Sequence, residues 1–338
     1  MKNIEIHLDH VNFAITWRCN ANCQHCSINA EDAEDVFSGE MATSEILAVI
    51  EQLDRMGVSL LGITGGEAIL HPDIAEILEY CKNKNIFVSI ASNGMALTSE
   101  AISMLKEKNV KSVLVSIDHI LPEYHDAFRG VEGCYARAIE AIKECVSKKI
   151  STTIGFTPTK NTYFLLPQII RLGLRLGVQA INISSFVPTG RGSKELDLTP
   201  SQWKEFYSLC EMHEKLQGGI RLQYHDPRLA ATENYASVLH YYGCAGCLAG
   251  ISHCYILPNG DVHPCVMLPV VLGNITTESL PSILEKGKTL LYRDNLKGAC
   301  EKCKNKYVCG GCRAVAFAYY NDVKAEDPRC WVREIGKK

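Results

Sequence analysis

The sequence of 338 residues lacks an excess of charge of either sign, because 35 lysines and arginines stand against 38 aspartates and glutamates. Nucleic-acid and anionic-membrane binding depend on basic clusters, so this charge balance favours neither partner. The sequence also lacks an apolar run long enough to span a bilayer, and its first residues lack the apolar core of a signal peptide. We therefore expect a cytoplasmic protein that binds neither nucleic acid nor membrane.

Cysteine, by contrast, is far more frequent than a cytoplasmic protein of this length needs, with 16 residues. Reducing conditions disfavour a disulfide scaffold, so metal ligation is the better explanation. Three cysteines lie within residues 19–26 and nine lie within residues 244–330, which predicts two metal-bearing regions. The others fall in helical patterns and are predicted to be small buried apolar residues: Cys81, Cys134, Cys145 and Cys210.

Short apolar runs alternate with amphipathic stretches from residue 10 to about residue 184, which is typical of repeated βα units around a parallel sheet. Six strands are predicted, at residues 10–16, 59–64, 86–92, 112–117, 152–157 and 180–184. Six such units form a partial (β/α)6 TIM-like barrel of the α/β class, open on one side. In barrels of this kind the chemistry collects at the carboxyl ends of the strands.

The predicted domain boundaries lie where this pattern ends. We predict the barrel over residues 1–210, a bridging segment over residues 211–243 and a small cysteine-rich domain over residues 244–338. Because the last region has little aliphatic periodicity, we expect its fold to depend on bound metal.

The first group of cysteines, Cys19, Cys23 and Cys26, has the spacing CxxxCxxC and directly follows the first predicted strand. A loop can bring three thiolates onto three irons of a cubane cluster, because soft sulfur ligands favour iron and zinc. The fourth iron would then be open to a small molecule. The alternative is a zinc site, which normally takes four ligands in two pairs, whereas the further donor His25 lies between two of the cysteines.

Polar or glycine residues follow each of the next three strands. A glycine pair lets the backbone approach a ligand, and a carboxylate can accept an ammonium group. Taken singly, turn and loop-capping roles explain such residues at least as well. The residues are Gly65, Gly66 and Glu67 after the second strand, Ser92 and Asn93 at the end of the third, and Ser116 near the end of the fourth.

Together with the CxxxCxxC loop, these motifs resemble the radical S-adenosylmethionine (SAM) family. The resemblance implies that the three cysteines are catalytic and hold a cluster whose open iron binds the amino and carboxylate groups of SAM. It implies that the GGE motif receives the ammonium group, with Glu67 as acceptor, and that the two strand-end serines and Asn93 bind the ribose and the methionine carboxylate. Asp118 with residues 125–130 also resembles a family segment, as do residues 185–192, in which Arg191 is a candidate anchor for a carboxylate.

The C-terminal cysteines resemble the SPASM pattern, in which eight thiolates hold two auxiliary [4Fe-4S] clusters. The resemblance assigns Cys247, Cys254, Cys265 and Cys312 to one cluster, and Cys300, Cys303, Cys309 and Cys330 to the other. This sequence has two residues between the last two cysteines of the CxxCxxxxxCxxC run, where many members have three, and Cys244 is a rival ligand to Cys247. Either departure leaves room for an auxiliary iron open to substrate. A pair of four-cysteine zinc ribbons is the alternative for this region taken alone.

The resemblance implies an enzyme that reductively cleaves SAM to a 5′-deoxyadenosyl radical, which abstracts hydrogen from a C–H bond. Its cofactors would be SAM and three [4Fe-4S] clusters, and an electron donor such as flavodoxin or ferredoxin would be a partner. Because SPASM enzymes most often modify ribosomally made peptides, peptide maturation is the first prediction.

Two alternatives to peptide maturation stay open. One is side-chain modification of a heme-type tetrapyrrole, since residues 268–269 and 273–275 resemble tetrapyrrole-modifying members and no added peptide-recognition domain is evident ahead of residue 10. The other is a non-catalytic iron–sulfur electron carrier, which the intact CxxxCxxC and GGE motifs disfavour.

Overall fold

Ten strands form one sheet in the computed structural model, which describes residues 8, 10–30, 39–216, 219–224, 226–232 and 246–332. The strands are β1 His10–Ala14, β2 Leu60–Thr64, β3 Phe87–Ser92, β4 Ser112–Ser116, β5 Ser151–Phe156, β6 Ala180–Ile183, β7 Arg221–Tyr224, β8 Tyr255–Ile256, β9 Asp261–His263 and β10 Gly273–Asn274. Their spatial order is β10-β9-β8-β1-β2-β3-β4-β5-β6-β7. Strands β1 to β7 pair in parallel, so their carboxyl ends meet at one edge.

Helices connect the parallel strands and cover the outside of the sheet. Helix α1 buries Ile46, Val49, Ile50 and Leu53, an apolar stripe at the spacing expected for a helix that packs on a core. The helices are α1 Thr43–Arg55, α2 Ile74–Asn83, α3 Ser99–Glu107, α4 Pro122–Arg129, α5 Cys134–Ser147, α6 Leu166–Leu176, α7 Pro200–Lys215, α8 Leu280–Leu290, α9 Gly298–Glu301 and α10 Arg313–Tyr320. Among the described residues, none of these is both long and apolar enough to cross a bilayer.

The predicted parallel α/β barrel is confirmed, and the six predicted strands correspond to β1 to β6. The sheet continues further than predicted, because β7 lies inside the segment assigned as a bridge and pairs with β6 from Ala180 opposite Arg221 to Ile183 opposite Tyr224. Only Leu222 of its four residues is buried. A strand this short, with one buried residue, carries too little periodicity to be distinguished from a loop.

The cysteine-rich region is joined to the barrel through the sheet itself. Strand β8 pairs in parallel with β1, with Asn12 opposite Tyr255, and the antiparallel strands β9 and β10 extend the same edge. Strand β1 leads directly into the CxxxCxxC loop. The C-terminal region is therefore fixed to the strand that carries the first group of cysteines.

The four scattered cysteines are buried, as predicted, and each has no exposed surface: Cys81, Cys134, Cys145 and Cys210. Burial raises the pKa of the Cys81 thiol to about 12, so this thiol stays protonated at neutral pH. These cysteines behave as small apolar core residues.

Candidate active site and auxiliary cysteine sites

The CxxxCxxC loop is attached to the end of helix α4. The backbone N–H of Asn22 donates to the carbonyl of Arg129 at 3.0 Å, and that of Gln24 donates to the carbonyl of Phe128, also at 3.0 Å. Gly130 follows with φ +69°, and a Cβ there would lie 2.5 Å from the Asn22 carbonyl oxygen. Glycine is therefore required where the helix end meets the loop.

One cavity of about 210 Å³ brings together residues from the ends of the first four strands. Polar side chains and backbone from separate strands meet there because parallel strands share one carboxyl edge. Eight of the nine predicted cluster and SAM residues line it: Cys19, Cys23, Cys26, Gly65, Gly66, Ser92, Asn93 and Ser116.

The glycine pair lets the end of β2 lie against the cysteine loop. The N–H of Gly66 donates to the carbonyl of Thr16 at 2.8 Å, and that of Glu67 donates to the carbonyl of Arg18 at 2.7 Å. A Cβ on Gly66 would lie 2.3 Å from the Arg18 carbonyl oxygen, so a larger residue would displace the loop. The motif thus shapes the loop as well as the cavity.

Glu67 is the one predicted residue that does not line the cavity. Its side chain is fully buried, and its Oε2 accepts a hydrogen bond of 2.8 Å from the backbone N–H of Asn93. Burial raises the pKa of this carboxyl to about 7. The side chain of Asn93 in turn donates to Asn20 Oδ1 at 2.8 Å, which connects the end of β3 to the cysteine loop. The predicted role of Glu67 as ammonium acceptor stays a prediction.

Arg129 lies in contact with Cys23, a contact that the sequence pattern did not predict. Its Nη1 lies 3.6 Å from Cys23 Sγ, and its Nε donates to Asp118 Oδ2 at 2.7 Å. Burial raises the pKa of the Cys23 thiol, and the guanidinium opposes that rise. The only sequence signal was the family-like segment of residues 125–130, because contact with Cys23 depends on how α4 packs.

Arg191, the candidate carboxylate anchor, binds the loop backbone instead. Its Nε donates to the carbonyl of Cys23 at 2.9 Å and its Nη1 to that of Ala30 at 2.8 Å, while its own N–H donates to the carbonyl of Cys26 at 2.9 Å. Its Nη2 is buried without a hydrogen-bond partner among the described residues. Arg191 also lines the cavity.

The zinc alternative finds little support in the geometry of the loop. The His25 ring stacks on Phe128 with ring centroids 4.6 Å apart. Within the part of the chain that the structure describes, no three His, Cys, Asp or Glu side chains converge closely enough for a single metal ion. A cubane cluster binds each thiolate through a different iron, so the sulfurs can lie further apart.

A second cavity, of about 120 Å³, contains the predicted ligands of one auxiliary cluster. Gly310 and Gly311, which separate Cys309 from Cys312, also line this cavity. Both have positive φ, which lets the backbone between these two cysteines lie close to the cavity. The ligands that line this cavity are Cys300, Cys303, Cys309 and Cys330.

The other auxiliary set is only partly brought together. Cys265 and Cys312 pack against the same small hydrophobic cluster. Burial raises the pKa of the Cys265 thiol, and charge on Cys247 and Cys312 raises it further. Cys254 is completely buried in the main hydrophobic core, where its carbonyl accepts from the Asn12 N–H at 3.3 Å. Burial alone raises its pKa to about 12. Its role as fourth ligand stays a prediction, and Cys244, the rival ligand, lies outside the described residues.

Comparison with known proteins finds a family match for each of the two cysteine-bearing regions. A family model of the radical SAM superfamily matches residues 14–170, and a model of SPASM, an iron–sulfur cluster-binding domain, matches residues 247–313. An AdoMet-dependent heme synthase from Methanosarcina barkeri is 32% identical over 96% of this chain and 96% of its own length. The chain belongs to the radical SAM superfamily. The radical SAM match covers every predicted SAM-site residue, whereas the SPASM match ends before Cys330.

Other relatives include proteins named as heme synthases and proteins named as maturases. An AdoMet-dependent heme synthase from Nitratidesulfovibrio vulgaris is 30% identical over 94% of this chain and 90% of its own length. The mycofactocin maturase MftC from Mycobacterium ulcerans is 28% identical over 94% of this chain and 86% of its own length. Tetrapyrrole synthases and peptide maturases are therefore both among the relatives of this radical SAM enzyme.

Solved radical SAM structures share the fold. Streptococcus suis SuiB bound to precursor peptide SuiA has a TM-score of 0.76 at 17% identity, covering 96% of this chain and 76% of that one. Native anSMEcpe with bound AdoMet has a TM-score of 0.73 at 18% identity, covering 96% and 95%. Identities this low show the fold alone. They agree with a partial barrel followed by a SPASM domain.

Proposed function

We propose that this radical SAM enzyme modifies a side chain of a heme-type tetrapyrrole. The family shows the class of enzyme and its cofactors, SAM and iron–sulfur clusters. The substrate is supported by sequence similarity, because two heme synthases are 32% and 30% identical to the chain and match 96% and 90% of their own lengths. The maturase MftC is less similar, at 28% over 86% of its length.

The single observation that supports the site is the cavity at the ends of the first four strands. In the proposal, Cys19, Cys23 and Cys26 hold the first cluster, and the glycine pair with the strand-end serines and Asn93 holds SAM. When bound, these cofactors supply the radical chemistry that removes hydrogen from an unactivated C–H bond. The chain itself orients SAM, positions the substrate carbon and keeps water away. The donor set fits the cluster, since the three thiols line the cavity that the glycines shape.

Arg191 supports a substrate with carboxylates. Heme-type tetrapyrroles carry carboxylate side chains, and Arg191 lines the cavity with a guanidinium whose Nη2 makes no hydrogen bond among the described residues. An arginine bound on its other nitrogens is held in place, so little side-chain entropy is lost when it binds a carboxylate. Eight of the nine C-terminal cysteines would hold two auxiliary clusters that exchange electrons with the substrate or bind it. A cytoplasmic location and a flavodoxin or ferredoxin as electron donor complete the proposal.

Peptide maturation is the second candidate. It is favoured by the similarity to MftC over 94% of this chain. The solved structure of SuiB bound to precursor peptide SuiA has the same fold.

The test measures release of 5′-deoxyadenosine from the anaerobically reconstituted, reduced protein. Each reaction contains a propionate-bearing iron porphyrin, a short peptide encoded beside the gene, or no substrate. We expect release stimulated by the porphyrin, with loss of mass from its side chains. Stimulation by the peptide alone would replace the first candidate with the second, and no release under any condition would favour the electron carrier.

Matched cysteine variants separate the site from the substrate. Cys23→Ala is expected to abolish SAM cleavage while the auxiliary iron remains. Cys81→Ala removes a buried cysteine that lies outside both cavities, so SAM cleavage should persist in it. Retained cleavage in Cys23→Ala would contradict the assignment of the first cluster.

A further inference from the structure

Four arginines are buried around the auxiliary cysteines. The exposed fractions of Arg228, Arg293, Arg313 and Arg329 are 0%, 8%, 6% and 2%. A buried guanidinium is costly unless an opposite charge lies close to it. Arg228 pairs with Asp226, and Arg329 pairs with Asp197. The contacts of Arg313 determine which groups its positive charge can stabilise.

Arg313 forms no ion pair within the described ranges of the chain. Its Nη1 donates to the carbonyls of Val323, at 2.9 Å, and Ala325, at 2.5 Å. Its Nη2 lies 4.0 Å from Cys300 Sγ, and its Nε is buried and has no hydrogen-bond partner among the residues that the structure describes. Carbonyl oxygens solvate the guanidinium but do not neutralise it. Two groups able to carry compensating negative charge lie close to it, the thiol of the predicted ligand Cys300 and the buried carboxyl of Asp327.

Arg313 also lies between the two auxiliary sites. It is the first residue of α10 and directly follows Cys312, which belongs to the set with Cys247 and Cys265. Cys300, which its Nη2 approaches, belongs to the other set and lines the second cavity. The two sets also meet at Asp327, whose Oδ2 accepts from the Cys312 N–H at 2.9 Å and whose own N–H donates to Cys300 Sγ at 3.4 Å. Arg313 is therefore adjacent in the chain to a cysteine of one set and in contact with a cysteine of the other.

We propose that Arg313 is a positioning residue whose charge is shared by the two auxiliary clusters and raises the reduction potential of both. The inference rests on the proposed ligation of those clusters. A reduced cluster with thiolate ligands carries one more negative charge than the oxidised cluster. A nearby cation and an N–H···S contact therefore stabilise the reduced form more than the oxidised form. The effect is weakly screened, because the side chain is almost inaccessible to solvent.

The experiment compares Arg313→Met, Arg313→Lys and wild type as full chains reconstituted with iron and sulfide. A background with Cys19, Cys23 and Cys26 all replaced by Ala leaves only the auxiliary clusters in the spectrum. Redox titration followed by electron paramagnetic resonance gives their midpoints, and iron analysis gives their occupancy. We expect both midpoints to shift to more negative potentials in Arg313→Met and to recover in part in Arg313→Lys, which keeps the charge.

Arg171→Met is the matched control, because Arg171 is exposed on the outer helix α6 and should leave both midpoints unchanged. Full iron with unchanged midpoints in Arg313→Met would overturn the inference, and so would a shift in only one cluster. Loss of iron that Arg313→Lys does not recover would assign Arg313 a structural role alone, which also overturns it. A wild-type chain without auxiliary clusters would overturn the proposed ligation as well, so the two failures are distinguishable.

Discussion

At the residue scale, Arg129 supplies the positive charge closest to a cysteine of the first site. A metal binds the thiolate and not the thiol, so a cation beside Cys23 favours the form that binds iron. The cation is itself held by Asp118, and both side chains are almost inaccessible, with 9% and 1% exposed. Burial alone would lower the pKa of Arg129, but Asp118 keeps it above its ordinary value, so the guanidinium remains charged.

Arg129→Met should therefore weaken both the fold and the first cluster. Removing one member of a buried ion pair leaves Asp118 uncompensated, which we expect to cost about 3–5 kcal/mol of unfolding free energy. Urea unfolding measures that loss, and iron analysis in a background without auxiliary cysteines measures the cluster. The control Arg137→Met removes a surface arginine paired with Glu140 and should cost about 0.5 kcal/mol or less. Wild-type stability and a full iron content in Arg129→Met would contradict the proposed role of Arg129 in stabilising the fold and the first cluster.

Glu67 should make the stability of the metal-free chain depend on pH. Its folded-state pKa of about 7 lies above the ordinary value of 4.5, so the ionised form is disfavoured in the native state. Stability is therefore lost as the pH rises from about 4.5 to about 7, and the loss persists above that range. Gln at this position can still accept from Asn93. We expect Glu67→Gln to be more stable than wild type at pH 8 by about 2–3 kcal/mol.

Urea unfolding at pH 5 and pH 8 tests this dependence. The difference between Glu67→Gln and wild type should be several times smaller at pH 5 than at pH 8. Glu107→Gln, at an exposed position on α3, should show no comparable difference. Identical pH profiles for wild type and Glu67→Gln would contradict a raised pKa for Glu67.

At the element scale, the repeated βα units were predictable because each strand and helix carries its own apolar period. Strand ends were equally readable, and Ser92, Asn93 and Ser116 lie together as the parallel sheet requires. The two-residue strand β8 was not predictable, since its pairing with β1 depends on a distant segment. The placement of Cys254 in the core follows from that pairing, which linear cysteine spacing does not encode.

The segment after β7 contains a buried ion pair that joins the barrel to the C-terminal region. The guanidinium of Arg228 pairs with Asp226 and lies over the rings of Trp203 and Trp331, 5.2 Å and 4.4 Å from their centroids. Its Nη1 donates to the carbonyl of Arg329 at 2.8 Å. The contact connects helix α7 of the barrel with the residues around Cys330.

Asp226→Asn should loosen this junction. The substitution leaves a buried arginine without its carboxylate, and we expect about 3–5 kcal/mol of lost unfolding free energy. Asp54→Asn is the control, because Asp54 pairs with Lys84 at the surface and should cost less than about 1 kcal/mol. Chemical denaturation of both variants measures the difference. Similar midpoints for the two variants would show that the ion pair does not hold the junction.

At the scale of the whole molecule, the two cavities are formed by different parts of the chain. The first depends mainly on the ends of the barrel strands, and the second on residues 299–332 with the segment after β7. Damage to the second cavity should therefore leave most of the first intact.

Cys303→Ala tests this independence, because Cys303 is the exposed member of the second cavity. We expect the iron content to fall by about one cluster, while SAM cleavage without substrate continues near the wild-type rate. Cys210→Ala, a buried cysteine in α7, should keep the full iron content. Unchanged iron in Cys303→Ala would remove it from the ligand set, and abolished SAM cleavage would show that the two cavities depend on each other.

The pairing of β8 with β1 also sets an order of events during synthesis. Asn12 and its partner Tyr255 are 243 positions apart, so one edge of β1 is made long before its neighbour leaves the ribosome. An unpaired strand edge is a site for misassembly with other chains, and contacts this distant in sequence form slowly. This edge of β1 therefore stays without its β8 partner until about three quarters of the chain has been translated, which makes it a point at which the nascent enzyme is open to misassembly.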